Sequence, residues 1–114
     1  MANEKQDGEE IFQIENGKLI KFLRDDLTSV EIPEGITEIG KNAFSERKNL
    51  ESVKFPESLE IIEKGAFEDC SALKEIKLPK NVKTINYWAF SRCHSLEVVE
   101  LNDGLEKIEE VAFA

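Results

Sequence analysis

The pair Ala-Phe returns every 23 residues, as Ala43-Phe44, Ala66-Phe67, Ala89-Phe90 and Ala112-Phe113, and nothing else restricts the fold of this chain as much. The apolar positions around it repeat in register. Leu27, Leu50, Leu73 and Leu96 form one column, Val30, Val53, Ile76 and Val99 a second, and Ile32, Phe55, Leu78 and Leu101 a third. Two further columns are Ile36, Leu59, Val82 and Leu105, then Ile39, Ile62, Ile85 and Ile108. One such unit cannot bury its apolar edge alone, so a fixed period of about 20 to 30 residues means a stacked solenoid with one coil per repeat. An array of this kind favours a binding scaffold over an enzyme.

Within each repeat the Leu-x-x-Val-x-Ile stretch, Leu27 to Ile32 in the first copy, alternates and predicts a short strand. Pro33, Pro56 and Pro79 end it because proline lacks the N–H a ladder needs, and Asn102 stands there in the fourth copy. The following residues predict a type I turn with proline in its second position. The segment Ile36 to Ile39 then crosses back as a second short strand, and Ser45–Asn49 reads as a helical or 3₁₀ turn into the next coil. The alanine of each Ala-Phe must be small where the phenylalanines stack. Ahead of the repeats, Ile11–Ile14 and Leu19–Phe22 flank Glu15-Asn16-Gly17, a strong hairpin signal. The predicted organisation is a disordered acidic tail over 1–10, an N-terminal hairpin cap over 11–26 and a solenoid over 27–114. The fold class is an α/β solenoid, mostly β, of about four coils.

Charge and composition narrow the partners. The formal net charge is −9, opposite to what a binder of phosphate backbones needs, so nucleic acid and anionic membrane surfaces are disfavoured. No run reaches the roughly 20 apolar residues of a membrane-spanning helix, and Met1–Glu10 carries no apolar export signal. From the residues alone, a cytoplasmic chain and an exported chain without its signal both stay open.

No catalytic constellation is visible. His94 is the one histidine and lies in a polar turn. Cys70 and Cys93 hold the same slot in successive coils and read as buried free thiols rather than a nucleophile, a disulfide or a zinc site. No glycine cluster makes a dinucleotide or phosphate loop, and no cofactor is expected. Glu100, Asp103, Glu106, Glu109 and Glu110 read as a solvated acidic face of the last coil rather than a calcium site. Two features are candidates for partner binding. The outward strand column Glu31, Lys54, Lys77, Glu100 either neutralises itself across neighbouring strands or docks an acidic partner. Tyr87 and Trp88, the one Tyr and one Trp, sit in slots that vary between coils, and serve either as an exposed interface or as local packing.

The pattern Leu-x-x-Val-x-Ile-Pro-x-x-Ile-x-x-Ile-Gly-x-x-Ala-Phe, with Phe67-Glu68-Asp69-Cys70-Ser71-Ala72-Leu73 after it, resembles the BspA-like class of leucine-rich repeats over residues 27–113. The resemblance implies a right-handed superhelix with parallel strands on one face. It also implies a bacterial or protozoan protein, secreted or displayed at the cell surface and used for adhesion. Arg47 in the cysteine slot and Asn86 in the slot of Gly40 depart from the pattern. The expected function is a non-catalytic protein-interaction or adhesion module; a structural spacer or a carbohydrate-binding segment of a larger surface protein are the alternatives. The last strand and Leu105, Ile108, Val111 and Phe113 lack a following coil, which predicts weak self-association through the C-terminal coil.

Overall fold

Stacking of the 23-residue unit produces two rows of short strands, one on each side of a single file of phenylalanine rings. The computed structural model describes residues 3–6 and 9–114. Its strands are β1 (Asn3–Gln6), β2 (Glu9–Glu15), β3 (Lys18–Phe22), β4 (Ser29–Glu31), β5 (Glu38–Ile39), β6 (Ser52–Lys54), β7 (Ile61–Ile62), β8 (Glu75–Lys77), β9 (Thr84–Ile85), β10 (Val98–Glu100) and β11 (Lys107–Ile108). Among the described residues there is no helix, and Ser45–Asn49 is a series of tight turns with the i to i+3 bonds of the 3₁₀ alternative. With only about five residues between Phe44 and Leu50, the chain reverses by i to i+3 bonds, such as Arg47 N–H to Phe44 O at 3.3 Å.

The hairpin forms as the Asn-Gly turn predicts, with β2 antiparallel to β3 and Asn16 and Gly17 at φ of 50° and 78°. Strand β3 then pairs in parallel with β5, placing Leu19 beside Ile39. From there β5, β7, β9 and β11 continue as one parallel sheet through Ile39, Ile62, Ile85 and Ile108. The disordered tail expected over 1–10 is corrected where the structure describes it. Asn3–Gln6 pairs antiparallel with β2, and Glu9 and Glu10 belong to β2 itself. An exposed edge of β2 offers unpaired main-chain groups, and a polar segment can satisfy them without an apolar side. At Met1, Ala2, Asp7 and Gly8 that expectation lies outside the described residues.

The core is the Phe column. Phe22, Phe44, Phe67, Phe90 and Phe113 stack with centroids 4.8, 4.6, 5.2 and 5.2 Å apart, and the first four are buried. The Ala-Phe pair also links the coils through the main chain. Phe44, Phe67 and Phe90 N–H each donate to the alanine carbonyl of the next coil at 2.7 Å, an approach that a side chain larger than methyl would obstruct. Phe22, from the hairpin, makes the same bond to Ala43 O at 2.9 Å, so the hairpin supplies one ring to the column.

Two slots per coil are left-handed. Asn42, Gly65, Trp88 and Val111 occupy one, at φ of 56°, 66°, 57° and 53°; Glu46, Asp69 and Arg92 the other, at 62°, 66° and 62°. This conformation turns the N–H along the stack, where Glu46, Asp69 and Arg92 bond the next coil at 2.9, 2.7 and 2.9 Å. The inter-coil bond offsets a backbone penalty of about 1–2 kcal/mol per non-glycine residue.

The other strand row is interrupted. β4 pairs with β6 and β8 with β10, each in parallel, but β6 and β8 are not joined into one ladder. The proline turn also falls one residue later than expected. Leu59 N–H bonds Pro56 O at 3.1 Å, which puts the proline first in its turn rather than second.

Candidate interaction surface

The two thiols hold neighbouring coils together. Cys70 Sγ donates to Phe44 O at 3.1 Å and Cys93 Sγ to Phe67 O at 3.3 Å, one coil back in each case. Both thiols are free, and burial pushes Cys70 up to about 12 and Cys93 up to about 11, so little thiolate forms near neutral pH. Arg47 occupies the same slot and makes the equivalent bond. Its Nη2 donates to Phe22 O at 2.6 Å while the guanidinium lies 5.8 Å from the Phe22 ring. What stays constant in this slot is a donor for the preceding phenylalanine carbonyl, which explains the departure of Arg47 from the cysteine pattern. His94 is exposed. Among the described residues, no group of three or more His, Cys, Asp or Glu side chains converges as a metal site would require.

The six residues singled out for partner binding fall on two separate surfaces. On the strand face, register sets Glu31 beside Lys54 and Lys77 beside Glu100, with Lys54 Nζ 3.9 Å from Glu31 Oε2. Both members of that ion pair are about three-quarters exposed, so it adds little stability. Where the ladder is interrupted, the residues of this column are Lys54 and Lys77. A cleft of about 320 Å³ opens there, lined by Val53, Lys54, Phe55, Glu57, Glu75, Lys77, Leu78 and Pro79.

Tyr87 and Trp88 follow β9 and line a different surface. Each is about 40% exposed (41% and 39%), and their rings lie 6.1 Å apart. Their rings point toward different neighbouring coils. Tyr87 packs toward the next coil, where its hydroxyl joins Lys107 in holding Glu109 below the usual carboxylate range; the Lys107–Glu109 bond of 2.8 Å is the larger cause. Trp88 faces the preceding coil, with Lys64 Nζ 5.1 Å from its ring. A cleft of about 440 Å³ lies in front of the indole, lined by Lys41, Asn42, Lys64, Glu68 and Trp88. Gly65 keeps it open, because a Cβ there would collide with Asn42 Oδ1 and approach Glu68 Oε1 to 3.1 Å. Sequence reasoning missed Lys41, Asn42, Lys64 and Glu68. The slot column Lys41, Lys64, Tyr87 carried the signal, since residues 23 apart become neighbours.

A carboxyl pair lies on the continuous sheet. Burial, and then the hydrogen bond that protonated Glu63 donates to the Glu38 carboxylate, hold Glu63 above the usual carboxylate range. Asn86 Nδ2 donates to Glu63 Oε1 at 3.1 Å, and Lys18 Nζ lies 3.4 Å from Glu38 Oε2. Asn86, the second departure from the repeat, therefore answers a half-buried carboxyl of the preceding coil.

Comparison with known proteins agrees with this architecture. The profile of the BspA type leucine rich repeat region matches residues 20–114 in six copies. Among solved structures, the pneumococcal vaccine antigen PcpA is similar over 94% of this chain at 27% identity, with a TM-score of 0.82. A leucine-rich repeat protein from Bacteroides capillosus is similar over 96% of this chain at 28% identity and a TM-score of 0.65. Another, from Bacteroides ovatus, is similar over 69% at 32% identity and a TM-score of 0.59. The chain spans 26% of the PcpA chain, 73% of the B. capillosus chain and 26% of the B. ovatus chain. Comparison with curated protein sequences finds no match.

Proposed function

Because the chain belongs to the BspA-type leucine-rich repeat family, we propose that it is a non-catalytic protein-interaction module of a bacterial surface or secreted protein, with Trp88 as the anchor of its binding face. The observation that carries this reading is the cost of placing Trp88 where it is. Its slot is left-handed, and Gly65 and Asn42 show which residues satisfy it cheaply. An exposed indole in that conformation, beside an open cleft and two lysines, gains nothing for the core. Large aromatics at the centre of a partly polar surface are the usual source of binding energy in protein interfaces. The family's association with bacterial surface proteins, and the similarity to a pneumococcal vaccine antigen, support display outside the cell. The exposed apolar residues Val98, Val99, Leu101, Ile108, Val111 and Phe113 support a further proposal, weak self-association of this chain through its last coil.

The test is binding of the intact chain to a panel of purified extracellular-matrix and host-surface proteins by surface plasmon resonance, beside Trp88→Gly. Trp88→Gly relieves the left-handed backbone and leaves the Phe column intact, so loss of binding is not loss of fold. At least tenfold weaker binding to a partner is expected. A panel with no partner, or a partner indifferent to Trp88→Gly, would overturn the reading in favour of a structural spacer. Asn42 and Glu68 beside the indole favour one second reading, a sugar ring stacked on Trp88; glycan binding without protein binding would select it.

A further inference from the structure

The interrupted ladder between the second and third coils has the chemistry of a receptor. In the first pair of coils, Ile32 N–H bonds Lys54 O at 3.0 Å; in the last pair, Leu78 N–H bonds Glu100 O at 3.0 Å. The corresponding bond from Phe55 N–H to Lys77 O is missing, and among the described residues Phe55 N–H has no other main-chain partner. At the other end of these strands Lys74 N–H still bonds Glu51 O at 2.9 Å, so the two rungs splay as a wedge. Two causes coincide there. Phe55 stands in a column of Ile32, Leu78 and Leu101, and its ring turns edge-on to Phe67 at 5.8 Å and 82°. Lys54 and Lys77 also fall in one repeat column and line one cleft, whereas both closed ladders join a lysine to a glutamate. Like charges directly opposite weaken a strand pair.

We propose that this wedge docks an acidic peptide segment of a protein partner, one of its carboxylates bridging Lys54 and Lys77 while a main-chain carbonyl accepts from Phe55 N–H. Lys54 and Lys77 both line the cleft, and their long stems let a single carboxylate bridge both ammonium groups, each at about 2.8 Å. The two glutamates on the walls do not fill this role. Glu75 lies toward the closed end, and Glu57 shares its slot column with Lys80 one coil on. Lys77 forms no ion pair among the described residues, and Lys54 has only the exposed 3.9 Å contact with Glu31. An incoming carboxylate thus removes a like-charge repulsion that the free protein retains, and the incoming carbonyl satisfies a main-chain donor. The inference rests on the protein-interaction reading but uses a surface that shares no lining residue with the Trp88 cleft.

The experiment is an NMR titration of the ¹⁵N-labelled chain with a hexaglutamate peptide at physiological salt, with hexaglutamine as control. The largest shift is expected at the Phe55 amide, which should also exchange with solvent faster than those of Ile32 and Leu78 in the free protein. Lys77→Gln should weaken hexaglutamate binding at least tenfold, and Lys83→Gln should leave it unchanged. A Phe55 amide as protected as Ile32, or binding indifferent to Lys77→Gln, would overturn the proposal. So would heparin or anionic vesicles binding equally well through the same lysines. Trp88→Gly separates the two readings. Hexaglutamate binding that survives it upholds the wedge even where no matrix protein binds at Trp88. Hexaglutamate binding that depends on Trp88 rather than Lys77 refutes the wedge alone.

Discussion

Replacing Phe67 by alanine tests whether the aromatic file holds the coils together. Phe67 is fully buried and touches three rings: Phe44 at 4.6 Å, Phe90 at 5.2 Å and Phe55 edge-on at 5.8 Å. Its main-chain bond to Ala89 O survives the substitution, so only side-chain packing is removed. Core Phe→Ala truncations cost about 3–5 kcal/mol in all. The mutation leaves a void between rigid coils that cannot close without breaking inter-coil bonds, so a value of about 4 kcal/mol is expected. Against a typical stability of about 5–15 kcal/mol that is a large fraction. Urea unfolding followed by circular dichroism should show it as a midpoint lower by about 2–3 M, for a slope of about 1.5 kcal/mol/M. Phe113→Ala supplies the comparison, since Phe113 stacks on one ring only and is 37% exposed. It should cost about 1 kcal/mol. Equal losses for the two variants would refute the column as the source of cohesion.

Three further outcomes follow from the side-chain environments. Glu63 carries a raised pKa, so the folded chain binds a proton more tightly than the unfolded one, and stability should fall as pH rises from the unfolded value of 4.5 through the folded one; in Glu63→Gln, which keeps the bond from Asn86, thermal melts should lose that slope. Cys70 and Cys93 should react with a thiol reagent only after unfolding, and their raised pKa values should make stability fall as pH climbs from about 9 toward 11; labelling of the native chain near neutral pH would contradict this. Sedimentation should show weak self-association strengthened by salt, because Glu100, Asp103, Glu106 and Glu110 surround the exposed apolar residues of the last coil and repel a second copy; Phe113→Glu should abolish it.

Much of this molecule was legible along the chain because a residue and its copy 23 positions later become lateral neighbours. The period alone determined the stack, the columns Leu27 to Leu96 and Ile39 to Ile108, the role of alanine before each phenylalanine and the shared slot of Cys70 and Cys93. Asn16-Gly17 determined the hairpin for the same local reason, since few dipeptides accept two left-handed residues. The period also placed Lys54 next to Lys77, though not what that proximity would do to the strands. Tertiary structure decided what a repeating pattern leaves equal. It chose which strand row became continuous, broke the other at Phe55, brought Phe22 into the ring file and gave Arg47 the hydrogen-bonding role of a cysteine. The Trp88 cleft likewise combines Gly65, Asn42 and Lys64 from two earlier coils. Periodicity states that all coils are alike, whereas the lateral fit of each pair depends on which side chains differ. Those differences acquire an energy only when the coils are stacked about 5 Å apart.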